Sequence, residues 1–405
     1  MKLHKITVAL AVAGLGFAGL PAQAQGISDD VIRIGFITDM SGVYSDIDGK
    51  AGVEAIRMAI EDAGGAINGK KIELVSADHQ NKADIGAQIA RAWYENENVD
   101  VIVDYGNSAV ALAVQALTKE FKKASLPTAV GSRRITGDSC SPYSIHWTYD
   151  SYALASTAAK AVTEGGGDKW YFITVDYALG HALEQDAAEI VKASGGEVVG
   201  AARHPLNTPD FASLLYQAQG AGANVLGLAN NGGDAINTIK QAREFRLPEQ
   251  GMQIAGLFLN FSDIAPIGLE QAQGILIAQA FYWDQDEESR AFSERFEKLH
   301  GAKPTMTQAG VYSAVLHYLK SVKATGSDDA AIVIADMKER PVDDFFAKGG
   351  RIREDGRTMF DMSLYRIKSP EESKYADDFL ELVKTVPGED VYFPIERSEC
   401  DFIKQ

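Results

Sequence analysis

The sequence predicts an α/β protein of two doubly wound parallel-sheet lobes joined by crossing segments, and three observations carry that expectation. Short β-branched runs alternate with helix-period segments from residue 31 to residue 131, the pattern of parallel strands linked by crossover helices. The alternation starts again after Tyr149 and continues to residue 259, so a second sheet follows the first. A chain of 405 residues with 46% hydrophobic and 23% charged residues can bury two cores of ordinary size.

Residues 31–37 (VIRIGFI) read as the first strand, closed by the polar turn of Thr38, Asp39, Met40, Ser41 and Gly42. A helix over 49–63 puts Val53, Ile56 and Ile60 on one face, and Gly64 and Gly65 stop it. Strand 71–78, helix 85–95, strand 99–104, helix 109–123 and strand 126–131 continue the first set. The second set runs as helix 152–163, strand 169–175, helix 182–194, strand 197–204, helix 211–220, strand 225–229, helix 234–244 and strand 253–259. A strand over 275–282 precedes helices at 287–299, 306–325 and 330–338 that return to the first lobe. A short hairpin is expected over 349–362, a strand over 363–367 passes back to the second lobe, and 370–405 reads as an irregular tail. The resulting division is 25–147 with 283–355 as lobe 1, 148–282 with 356–385 as lobe 2, and 386–405 as a C-terminal tail.

Residues 1–24 stand apart. Lys2 and Lys5 precede an apolar stretch over 6–20 and the A-x-A site Ala22, Gln23, Ala24, the pattern of a secretory signal peptide cut before Gln25. The expected address is the periplasm, and the residue after the cut is not the cysteine that a lipid anchor needs. Cys140 and Cys400 are the only cysteines. An even count in an exported chain predicts a disulfide that ties the tail to lobe 1, two free buried thiols being the alternative.

Charge and motifs exclude several classes of function. The net charge of −17 argues against nucleic acid or an anionic membrane surface as partner. Gly14, Gly16 and Gly19 spell G-x-G-x-x-G inside the signal peptide, with no strand before them, so no dinucleotide site follows. The chain has no H-E-x-x-H, P-loop or G-x-S-x-G motif; no catalytic residue, metal site or cofactor is expected.

Ligands of doubly wound sheets meet the loops at the carboxyl ends of the strands. There Tyr44, Tyr105, Tyr177 and Phe258 offer walls for an apolar ring. Gly106, Asn107 and Ser108 precede a helix and suit an anion at its positive end, with service as the helix cap as the other reading. Arg133 and Arg134 offer a two-pronged carboxylate partner, one pointing inward and the other to solvent. Asn230, Asn231 and Asp234 lie at a strand-to-helix junction, where they read a polar substituent or make the turn. Asn260 sits in the Phe258 loop. Trp147 and Trp283 fall at the expected crossings, where they line the cleft floor or stiffen a hinge.

The stretches VIRIGFITDMSGVYSDIDGKAGVEAIRMAIEDAGG, INGKKIELVSADHQNK, VDVIVDYGNSAVALAVQ and DFASLLYQAQGAGANVLGLANNGGDAINTIKQA resemble the periplasmic substrate-binding proteins of branched-chain-amino-acid-type ABC transporters. The resemblance implies a type I fold with a three-crossover hinge, lobes that close on a ligand, docking to membrane permease subunits, and a monomer. It implies ligand loops at Gly106, Asn107 and Ser108 and at Gly131, Ser132 and Arg133, with a second-lobe aromatic near Tyr177 or Leu179. Amino-acid binders of this family place an acidic residue near the loop occupied here by Phe258, Leu259 and Asn260. That loop lacks a carboxylate, which leaves an ammonium without a partner unless Asp234 supplies one. The stretches SCSPYSIHWTYDSYALA, TVDYALGHALEQD, RHPLNTPDF and AQAFYWD resemble a branch that takes up aromatic acids. The expected ligand is thus a small carboxylate of benzoate or phenylpropanoid type; the alternatives are an amino acid or amide, or a ligand-sensing module for a receptor.

Overall fold

The computed structural model describes residues 26–403; the predicted signal peptide lies outside them. The first run of elements is β1 (Val31–Thr38), α1 (Gly49–Asp62), β2 (Ala66–Ile67), β3 (Lys70–Asp78), α2 (Ala83–Asn96), β4 (Val101–Asp104), α3 (Ser108–Phe121) and β5 (Ala124–Leu126). Their strands form a five-stranded sheet in the order β2-β3-β1-β4-β5, parallel except for the edge strand β2. Helices cover both faces of such a sheet, so its strands are apolar on both sides. Ile32, Ile34, Phe36 and Ile37 of β1 are accordingly all fully buried.

The second run is α4 (Ser151–Glu164), β6 (Lys169–Val175), α5 (Ala178–Ala193), β7 (Glu197–His204), α6 (Ala212–Gly220), β8 (Val225–Ala229), α7 (Gly232–Glu244), β9 (Gln253–Gly256), α8 (Phe261–Ile267), α9 (Leu269–Ala272) and β10 (Leu276–Gln279). Helices α10 (Glu287–His300), α11 (Met306–Thr325) and α12 (Ala330–Glu339) follow, and α10 and α11 pack against α1 of the first lobe. A two-stranded hairpin, β11 (Arg351–Ile352) with β12 (Thr358–Met359), leads into β13 (Met362–Ile367) and β14 (Leu380–Val386). The second sheet has seven strands in the order β14-β13-β10-β9-β8-β6-β7. Its β13 and β14 are antiparallel, so both sheets are mixed and mostly parallel.

Three differences from the sequence expectation have local causes. The strand predicted over 126–131 stops at Leu126, because Pro127 offers no ladder donor, and the chain then enters a 3-10 turn at Arg133–Thr136. The strand predicted over 253–259 ends at Gly256 and feeds the short helix α8. The region expected to be irregular contains β14, whose residues after Leu380 are almost all exposed, so it shows no buried alternation to read.

Segments at 127–150, 280–286 and 357–361 pass between the two sheets. The fully buried Arg357 ties the first of them to the third. Its guanidinium donates to the carbonyls of Trp147 (2.9 Å), Tyr149 (3.0 Å) and Thr358 (3.0 Å) and lies 3.6 Å from Asp150. The Cys140–Cys400 disulfide is formed. The tail it holds also reaches the second lobe, where Arg397 pairs with Glu189 of α5 at 2.6 Å.

Candidate functional site

The carboxyl ends of the parallel strands in both sheets converge on one cleft. After β1, the Asp39 carboxylate accepts from the backbone N–H groups of Ser41 (3.3 Å), Gly42 (2.7 Å) and Tyr44 (3.0 Å) and from the Asn81 side chain. This folds the loop back and turns Tyr44 towards the second lobe. There the Tyr177 hydroxyl donates to the Tyr44 hydroxyl at 2.9 Å; burial pushes both phenols up, so both stay protonated. Gly232, at φ 54, opens α7 against this loop, and a Cβ there would lie 2.7 Å from the Val43 carbonyl oxygen. Only glycine fits that conformation and that approach. The lobes are closed on one another.

Between them lies a narrow cavity of about 10 Å³, room for little more than one water. The first lobe contributes Thr38, Tyr44, Ile47, Asp48, Gly106, Asn107, Ser108, Ala129 and Gly131; the second contributes Tyr149, Tyr177, Leu179, Asn231 and Phe258. Tyr149 and Phe258 pack with ring centroids 4.7 Å apart and their planes tilted by 57°. No arginine or lysine lines it. A wider groove beside the crossings, lined by Tyr282, Phe345, Phe360 and Leu382, lies away from the strand ends that make ligand sites in such folds.

The polar floor is strained and acidic. Asp104, Tyr105 and Gly106 have successive φ values of 88, 79 and 52; for the two non-glycine residues this costs on the order of 1–3 kcal/mol each. The turn is held by His79, whose Nε2 lies 2.6 Å from the Tyr105 carbonyl while Nδ1 accepts from the Asn81 N–H at 2.9 Å. These partners put the proton on Nε2, and burial lowers the pKa of the ring, so His79 is neutral. Asp48 opens α1, held in place by the Thr305 and Thr307 hydroxyls, which both donate to the preceding Ile47 carbonyl at 2.7 and 2.8 Å. Neither Asp48 oxygen has a donor among the described residues. The carboxyl is pushed well above the usual range by burial and by the neighbouring Asp104.

The sequence candidates divide between the cavity and its surroundings. Tyr44, Gly106, Asn107, Ser108, Tyr177, Asn231 and Phe258 line the cavity. Asn107 is also the cap of α3, accepting from the N–H groups of Ala109 and Val110. The Ser108 oxygen accepts from the Ser132 N–H at 3.2 Å, so Ser132 supports the site through its backbone.

The arginines are not there, contrary to expectation. Arg133 turns away in the 3-10 turn, pairs with Asp186 of α5 at 2.8 Å and lies 4.2 Å from the Phe393 ring centroid. Arg134 is at the surface, paired with Asp138 at 2.9 Å. Tyr105 is core, its hydroxyl bonded to Ser125 at 2.7 Å. Trp147 is also core, donating to Ser313 at 3.2 Å, and Trp283 donates to the Asp377 carbonyl at 3.1 Å. Asn230 is buried behind the wall beside His204. Asp234 accepts from the backbone N–H groups of Asn207 and Thr208: it holds a loop and does not face the cavity. The Asn260 N–H donates to Asp263 at 2.8 Å within the first turn of α8. Sequence reasoning passed over Thr38, Ile47, Asp48 and Ala129. Asp48 reads as a helix cap, yet its side chain makes no capping bond, and nothing in the sequence separates those two states.

A family model described as Periplasmic binding protein matches residues 31–374. The chain is a periplasmic binding protein. This is a family of binding proteins rather than of enzymes. Among solved structures, this periplasmic binding protein is similar to one from Burkholderia mallei, at 45% identity and a TM-score of 0.90, covering 92% of this chain and 99% of that one. It is also similar to a branched chain amino acid ABC transporter periplasmic ligand-binding protein from Burkholderia xenovorans, at 39% identity and a TM-score of 0.83, with 91% and 99% covered. A curated relative, Leu/Ile/Val-binding protein homolog 6 of Brucella melitensis, is 25% identical over 343 residues, 81% of this chain and 85% of its own. An ABC transporter solute binding protein from Rhodopseudomonas palustris in complex with 3,4-dihydroxy benzoic acid, at 22% identity and a TM-score of 0.77 over 89% of this chain and 98% of its own, shares the fold.

Proposed function

We propose that this periplasmic binding protein is the exported solute receptor of an ABC importer and that its ligand is a small amino-acid-type zwitterion. The observation that carries this reading is the buried Asp48 carboxyl, which lines the cavity without a cation or a hydrogen-bond donor. An ammonium group matches it, and the Asn231 side-chain oxygen, likewise without a donor among the described residues, adds a second acceptor. The ligand carboxylate goes to the start of α3, where the Ser108 hydroxyl and the positive helix end favour an anion. Tyr44, Tyr149, Tyr177 and Phe258 take the apolar side chain. The closed cavity, about 10 Å³, has room for little more than one water, so a ligand enters when the lobes part and the cleft closes around it. Because the ligand touches both lobes, it favours the closed state, which docks on the permease.

The four aromatic rings favour a second reading, an aromatic acid of benzoate or phenylpropanoid type. A protonated Asp48 then donates to the acid, but no arginine stands in the cavity to neutralise it. A thermal-shift series of the mature protein with leucine, phenylalanine, benzoate and 4-hydroxybenzoate separates the two. A ligand at about 100 times its dissociation constant adds about 2.7 kcal/mol. A shift with amino acids and none with the benzoates is expected; the reverse result replaces the first reading with the second.

A further inference from the structure

Two buried carboxyls in contact need either a cation or a proton. Asp48 and Asp104 are 1% and 0% exposed. Asp104 does not line the cavity; its Oδ1 accepts from the Thr128 hydroxyl at 3.0 Å, and its Oδ2 has no donor among the described residues. The groups around the pair supply no positive charge. Thr38 of β1 and Thr128 of the first crossing bring hydroxyls to Asp104, and Tyr105 and Tyr149 are phenols kept protonated by burial. His79, held by Asn81 and the Tyr105 carbonyl, is neutral; Asp39 faces it and adds only negative charge. Like charges in contact cannot both ionise away from water.

We propose that Asp104 is a positioning residue that keeps a proton on the Asp48–Asp104 pair in the ligand-free cleft, and that a cationic group of the ligand takes that proton's place. On binding, the ligand N–H donates to an Asp48 oxygen and the carboxyl proton leaves to solvent, so one positive charge replaces another. The site therefore selects ligands that bring a cation, and capture is linked to pH. The identity of that cation as an amino-acid ammonium rests on the function proposed above; the held proton does not. Burial, which raises both carboxyls, and the neighbouring Asp104, which raises Asp48 further, act in the same direction.

Two measurements test this. Infrared spectroscopy of the ligand-free mature protein at neutral pH reads the carbonyl band of a protonated buried carboxyl, expected in the wild type and lost in Asp104→Asn and in Asp48→Asn. Calorimetry with leucine or phenylalanine, in buffers of different ionisation heat, reads proton release. Wild-type affinity is expected to fall about tenfold per pH unit below the pair's own pKa, with about one proton released per ligand. Asp104→Asn, which keeps an acceptor for Thr128, is expected to bind with a flat pH profile and no release. A merely structural Asp104 would instead lower affinity equally at every pH. Absence of the band in the wild type, or a wild-type pH profile in Asp104→Asn, overturns the proposal. If no cationic ligand binds, the exchange and the amino-acid reading fail together, while a band that both variants abolish still upholds the held proton.

Discussion

Replacing Arg133 by alanine is expected to destabilise the protein in a pH-dependent way rather than to remove a ligand contact. Its guanidinium lies 2.8 Å from Asp186, whose other oxygen accepts from the Ser151 hydroxyl at 2.5 Å. Burial raises the Asp186 carboxyl from its ordinary 3.8 to about 6, with Arg133 and Ser151 pulling the other way. About two pH units correspond to about 3 kcal/mol. The folded pKa is the higher one, so the folded chain holds an extra proton between about pH 4 and pH 6. This group's contribution to stability therefore declines as pH rises through that window and is level above it. Without Arg133 the carboxyl rises further and the decline extends past neutral pH. Breaking a buried pair on one side costs about 3–5 kcal/mol, so urea unfolding at about pH 7.5 is expected to show a loss of that order. At about pH 5, where Asp186 is protonated, the loss shrinks to about 1 kcal/mol of lost cation–π contact with Phe393. The double variant Arg133→Ala, Asp186→Asn recovers most of the loss at the higher pH. Equal destabilisation at both pH values refutes this reasoning. So does unchanged stability with about tenfold weaker ligand binding, which would put the guanidinium in the site after all.

The cleft and the tail give three further expectations. Tyr177→Phe removes the hydroxyl bond to Tyr44 across the cleft, about 1 kcal/mol, and ligand affinity by calorimetry is expected to fall about fivefold with little change in melting temperature. Gly232→Ala places a Cβ against the Val43 carbonyl; scattering in saturating ligand is expected to show a more open molecule, and an unchanged closed profile would mean that the loop yields. Reductant is expected to lower the melting temperature, since the Cys140–Cys400 bond closes a loop of 260 residues, worth up to about 3–5 kcal/mol, and to add two protons to the intact mass.

What the sequence made legible follows from which side of each element is buried. Parallel strands covered on both faces must be apolar throughout, so β1, β6 and β8 stand out as short apolar runs, and the loops at their carboxyl ends could be named directly. Tyr44, Tyr177 and Asn231 come from the loops after β1, β6 and β8, Ser108 and Phe258 from those after β4 and β9, and all five line the cavity. Strand β14 was invisible for the opposite reason: Leu382 and Val383 are about half exposed and leave no alternation.

Charge was harder to read than fold, because a charge finds its partner across the whole chain. Arg133 looked free in its own stretch, and its partner Asp186 lies 53 positions away. A signal for that pair was nonetheless present: Asp186 sits three residues after Leu183 and four before Ile190, on the buried stripe of α5, where an acid demands a cation. The same reasoning applied to the cleft reaches the opposite result. Once Arg133 is spent on Asp186, Arg134 on Asp138 and Arg357 on backbone carbonyls, none of these three arginines answers Asp48 and Asp104. The uncompensated charge at this cavity is therefore negative, and that sign is what supports the proposed cationic ligand over an aromatic acid.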